Sequence, residues 1–122
     1  RTIREKKINL KINFYINFEV NDYLKLISKC KCLIGNSSSG IRESSYLGVP
    51  VVNIGDRQNF RERGKNIIDV DIDSNKILKA IKSIHNKKII KSHIYGDGNA
   101  NNKILKVLKT CDLNTKKFFY DL

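Results

Sequence analysis

The sequence predicts an α/β domain on a doubly wound parallel sheet, with helices covering both faces. Short, largely apolar runs at Cys32–Ile34, Val51–Gly55 and Ile67–Val70 read as strands, Val51–Gly55 having the character of a buried parallel one. Amphipathic helical patterns alternate with these runs through short connections, as a parallel sheet requires. A loop of small polar residues then follows one of the runs and opens a helix.

Taken in order, residues Ile12 to Phe18 alternate Ile and Phe with Asn and Tyr and read as the first strand. Asn21 or Asp22 is a candidate cap for a helix with Tyr23, Leu24 and Ile27 on its apolar side, ending near Cys30. Cys32–Ile34 is the second strand. Gly35-Asn36-Ser37-Ser38-Ser39-Gly40-Ile41-Arg42-Glu43 leads into a helix that ends near Leu47, any of its three serines being able to cap it. Gly48 stands where a left-handed residue is wanted, and Pro50 forbids continuation. Val51–Gly55 is the third strand, Asp56–Gly64 a charged segment and Ile67–Val70 the fourth strand. Asp73 or Ser74 caps a helix whose Ile77, Leu78, Ile81 and Ile84 form one stripe. Tyr95-Gly96-Asp97-Gly98 is a turn, and a last helix buries Ala100, Ile104, Leu105 and Leu108. The tail, Lys116 to Tyr120, is apolar enough to dock on something.

In such sheets ligands bind beyond the carboxyl ends of the strands. The serine loop and the arginine-bearing loop after Gly55 both leave that edge, so two polar loops are expected to share one crevice. One serine suffices for a cap; three between two glycines read as a phosphate cradle at a helix start. Glu43 lies one turn beyond Ser39 on the same face. A carboxylate opposes an anion, and a ribose diol, which donates two hydrogen bonds to it, is a reason to have one there; the plainer reading is an ion pair with a nearby arginine. Arg57 heads the next loop and suits a forked clamp on a diphosphate, against a plainer role as surface charge. At least one of Arg42, Arg61 and Arg63 is expected in solvent. These residues describe a nucleotide-diphosphate site with a ribose hook. They do not describe an acid–base pair: His85 and His93 read as surface residues, nothing sets a base beside the serines, and no Gly-Lys-Ser/Thr follows the glycines.

The 122 residues make one domain, with 24 Lys+Arg against 12 Asp+Glu and a net charge of +12. Such a balance suits an anionic partner, yet Lys76, Lys79 and Lys82 fall at solvent positions, and Lys, Asn and Ile abound throughout, as in a chain from an A+T-rich genome. Nucleic acid is not an expected partner, because aromatic stacking motifs and a clustered basic helix are lacking. No stretch is long enough for a membrane span. Cys30, Cys32 and Cys111 are odd in number and poorly spaced for metal, so no cofactor or metal is expected, and the expected compartment is the reducing cytoplasm. The opening Arg-Thr-Ile-Arg-Glu-Lys-Lys reads like the middle of a longer protein.

Three motifs in register, Gly35–Glu43, Gly48–Gln58 and Tyr95–Ala100, resemble the UDP-N-acetylglucosamine 2-epimerases across residues 18–109. The resemblance implies that residues 1–122 are the Rossmann-like C-terminal half of a glycosyltransferase-B-type fold. Asn36-Ser37-Ser38-Ser39-Gly40 and Gly55-Asp56-Arg57-Gln58 are similar to the hydrolysing branch rather than to the Asp-Ser-Gly-Gly loop of the other. That branch makes N-acetylmannosamine and UDP for sialic-acid synthesis, and a close variant acts on UDP-diacetylbacillosamine. By the same resemblance Ser37 and Ser38 hold the diphosphate, Glu43 the ribose and Arg57 the UDP moiety, with the backbone of Phe18 on the uracil side. The resemblance places the catalytic carboxylates and histidine in the family's N-terminal domain and inter-domain region, upstream of Arg1, so this chain alone is expected to be inactive. Its partners are then a UDP-sugar and, for the full-length protein, further copies of itself. A nucleotide-sugar glycosyltransferase of the same fold is the nearest alternative.

Overall fold

A computed structural model describes residues 11–84 and 91–112. Its elements are α1 (Val20–Lys29), β1 (Leu33–Gly35), α2 (Ser38–Ile41), α3 (Glu43–Leu47), β2 (Val51–Ile54), β3 (Ile67–Val70), α4 (Ser74–Ile84) and α5 (Ala100–Thr110). The strands lie side by side in sequence order, all parallel, with Leu33 opposite Val51 and Val51 opposite Ile67. Parallel neighbours need a crossover, and α2 with α3 supplies it between β1 and β2.

Strand alternation sends Val52, Ile54, Ile68 and Val70 to one face, where they pack with Ala80, Ile81 and Ile84 of α4. Leu33 and Val51 point to the other face and approach α2 at Gly40. Helices therefore cover both faces, as the sequence predicts. The α3 side is tied to the start of β3 by a buried polar network. Ser45 Oγ lies 2.7 Å from the Ile41 carbonyl and 3.1 Å from Asn66 Oδ1, and Asn66 Nδ2 donates to the Val49 carbonyl at 2.6 Å. Gly48 ends α3 in the left-handed region (φ 74°), and Asp73 caps α4 by accepting from the Lys76 N–H at 2.8 Å.

Five expectations are corrected. Residues 12–18 are not a strand: Ile12, Phe14, Tyr15 and Ile16 are exposed, none of the three strands extends over them, and the rings of Tyr15 and Phe18 pack at 4.8 Å. Alternation makes a strand only where a ladder partner accepts the backbone groups. The first helix starts at Val20 after Glu19, so Asn21 and Asp22 lie inside it rather than capping it. The single helix expected after the serine loop is two short ones, broken at Arg42 (φ −92°, ψ −71°). The Ser45 hydroxyl bonds back to the carbonyl four residues earlier, a contact that bends helices. Finally, α5 forms, but its apolar side is not buried: Ala100, Ile104, Leu105 and Leu108 are all exposed. On α4, Leu78 also falls off the packed stripe. His85 and the tail from Lys116 to Tyr120 lie outside the described residues.

Candidate functional site

Because β1 and β2 are parallel neighbours, the loops that leave them emerge at one edge, and the structure joins those loops directly. The Gln58 side chain, only 3% exposed, donates from Nε2 to the Asn36 carbonyl at 2.8 Å. The arginine loop is thus fastened to the serine loop by the residue next to Arg57. The return of that loop is held from below: Asn53 Nδ2 donates to Asp69 Oδ1 at 2.7 Å, and Arg63 Nε reaches Asp69 Oδ2 at 3.1 Å. Arg42 and Arg61 are in solvent, as expected of at least one of the three. Arg57 is exposed and carries no ion pair among the described residues.

Within the serine loop, Ser37 is the cap. Its side chain accepts from the Ser39 N–H at 3.4 Å, while its carbonyl accepts from the Gly40 N–H at 3.0 Å. Ser37 and Ser38 remain exposed; Ser39 is buried. The break at Arg42 shortens the helix behind the loop to four residues, so any anion there relies on local N–H and O–H donors rather than on a long helix dipole.

Beside this loop opens a cavity of about 360 Å³ whose lining includes Phe18, Tyr23, Leu24, Ser39 and Glu43. Ser39 and Glu43 share it despite the broken helix. Glu43 makes no ion pair among the described residues, and its buried Oε2 has no hydrogen-bond partner there. A buried carboxylate oxygen without a donor is costly, and hydroxyl groups of a bound molecule would relieve it. Phe18, half-buried at the mouth of α1, supplies an aromatic wall with Tyr23, their ring centroids 6.3 Å apart. Phe18 and Glu43 therefore come together in one cavity, with Ser37 and Ser38 on the loop next to it and Arg57 on the loop fastened to that one.

A larger groove of about 890 Å³ runs between β3 and α4. Its floor of Ile68, Val70 and Ala80 is apolar, and its charged lining is mixed, Asp56, Asp69 and Asp71 with Lys76 and Lys79. It holds none of the five site residues. His93 stacks edge-on against Tyr46 at 5.5 Å, and among the described residues no hydrogen bond joins its ring to the serines. Sequence reasoning missed Tyr23 and Gln58 as members of the site. Nothing in the local pattern marks them, since each acts through a partner 16 or 22 positions away.

The sequence model of the family described as UDP-N-acetylglucosamine 2-epimerase matches residues 1–109. The chain is 40% identical over 96 residues to the UDP-N,N'-diacetylbacillosamine 2-epimerase (hydrolyzing) of Legionella pneumophila, covering 78% of this chain and 26% of that protein. It is 40% identical over 108 residues to the GDP/UDP-N,N'-diacetylbacillosamine 2-epimerase (hydrolyzing) of Campylobacter jejuni, covering 82% of this chain and 28% of that one. Over 60 residues it is 43% identical to the UDP-N-acetylglucosamine 2-epimerase of Neisseria meningitidis, covering 49% of this chain and 16% of that one. The chain thus spans about a quarter of the length of the first two relatives. With a family match over most of its length, the chain belongs to the UDP-N-acetylglucosamine 2-epimerase family.

Proposed function

We propose that this chain is the UDP-binding C-terminal part of a hydrolysing UDP-N-acetylglucosamine 2-epimerase, and that it holds the leaving-group side of the substrate. The observation that carries the reading is the joined crevice: two polar loops fastened through Gln58, next to a cavity in which Glu43 presents an unpartnered buried oxygen. In this reading Ser37 and Ser38 donate to the diphosphate, Arg57 neutralises it, Glu43 accepts from the ribose hydroxyls, and the Phe18 backbone meets the base.

The reaction begins with loss of the C2 proton and cleavage of the bond between C1 and the UDP oxygen, giving a glycal and UDP. Water then adds, hydroxyl to C1 and proton to C2 on the opposite face, giving N-acetylmannosamine. As the C1–O bond breaks, negative charge grows on UDP, and donors already aimed at it stabilise that charge. The groups that move the C2 proton belong to parts of the protein outside this chain. A substrate carrying the diacetylbacillosamine sugar is the second reading, favoured by the names of two relatives; it uses the same UDP site.

The test is calorimetric titration of the chain with UDP, repeated on Ser38→Ala and Arg57→Ala. Saturable binding that each change weakens by roughly tenfold or more is expected, the loss typical of a hydrogen bond to a charged group. A folded chain that does not bind UDP would sink the proposal.

A further inference from the structure

We propose that Tyr23 is a positioning residue for the diphosphate, acting through Ser39 to aim the Ser37 hydroxyl at the bound anion. The inference rests on the nucleotide reading above and adds a residue to it. Three hydroxyls form a chain across the cavity wall: Tyr23 Oη lies 2.8 Å from Ser39 Oγ, and Ser39 Oγ lies 2.9 Å from Ser37 Oγ. Tyr23 comes from α1 and the serines from the loop after β1, so the chain links two separate elements. Its middle member is buried and its outer member, Ser37, is exposed at the loop.

Each hydroxyl has one hydrogen to give, so such a chain has two directions. In one, Ser37 donates inward to Ser39 and Ser39 to the phenol, which leaves Ser37 showing only lone pairs outward, the wrong face for an anion. In the other, the phenol donates to Ser39 and Ser39 to Ser37, which frees the Ser37 hydrogen to point at a phosphate oxygen. An anion selects the second direction, and each donor in the line polarises the next. Capping does not call for this chain, because the cap uses only the Ser37 oxygen accepting from the Ser39 N–H. The Tyr23 ring also lines the cavity, and this allows its two roles to be separated, because Phe keeps the ring and removes only the hydroxyl.

The experiment compares affinity for UDP with affinity for uridine, by ligand-observed NMR titration, in the unaltered chain, Tyr23→Phe and Ser39→Ala. Tyr23→Phe is expected to weaken UDP about three- to tenfold, the loss of one hydrogen bond's worth, and to leave uridine within about twofold. Ser39→Ala should do the same, and the double variant should be no worse than the more severe single, since both cut one chain. Unchanged UDP affinity in both variants, or UDP and uridine weakened together, overturns the inference while the nucleotide site stands. If the unaltered chain binds neither ligand, the nucleotide reading fails first and this inference falls with it.

Discussion

Phe60 is the one non-glycine among the described residues with a left-handed backbone (φ 65°), and its side chain is fully exposed. An aromatic residue in that region pays a steric penalty of about 1–2 kcal/mol, and this one recovers none of it by burial within the chain. Phe60→Gly is therefore expected to raise stability by about 1 kcal/mol, less what glycine adds to the entropy of the unfolded state. A higher urea midpoint at unchanged slope would bear this out; a lower midpoint would show that the ring makes a stabilising contact. The sequence gives no sign of this strain, because a Phe in a charged loop looks like any other loop residue. At the same scale Glu43 was legible: its spacing from Ser39 puts both on one cavity, and the ion pair that would have explained it away is absent among the described residues. Ser37, Ser38 and Arg57 were legible as loop residues at one edge. Which serine caps and which turns inward was not, since three adjacent identical side chains differ only in what each meets.

Among the elements, α5 shows how local chemistry supports a helix whose apolar residues stay exposed. The Asn99 N–H donates to Asp97 Oδ1 at 3.0 Å, and Lys103 Nζ lies 3.0 Å from Asp97 Oδ2. The Lys103 bond and then the Asn99 N–H hold the Asp97 carboxyl below its usual range, to about 2. A carboxyl depressed in the folded state favours folding above its unfolded value, and that contribution fades as pH falls through the folded value. Asp97 is therefore expected to titrate near 2 by carbon NMR, and Lys103→Ala to move its midpoint upward. A midpoint at the ordinary aspartate value in the unaltered chain would mean that the bonds at the start of α5 do not persist in solution. By contrast, residues 12–18 carry the alternation of a strand and do not form one. A helix satisfies its backbone groups within itself, whereas a strand needs a neighbour.

At the scale of the whole molecule, no described element covers the apolar side of α5, and the chain matches about a quarter of its first two relatives. In the proposed reading the groups that move the C2 proton lie outside this chain, so incubated with UDP-N-acetylglucosamine the chain alone is expected to release no UDP. Release of UDP, followed by chromatography, would refute that division of labour. Among the described residues, no helix is long and apolar enough to cross a membrane. Lys76, Lys79 and Lys82 are all exposed, which fits a basic charge spread over the surface. What the sequence determined by itself is the part governed by near neighbours: the three strands, the left-handed stop at Gly48, and the arrival of two polar loops at one edge, which follows once consecutive strands are parallel. The tertiary structure alone decided the break at Arg42, the Gln58 tie between the loops, the Tyr23–Ser39–Ser37 chain and the fate of residues 12–18. Periodicity and capping are written within a few residues, but a hydrogen bond between side chains 16 or 22 positions apart exists only once the fold has brought them together.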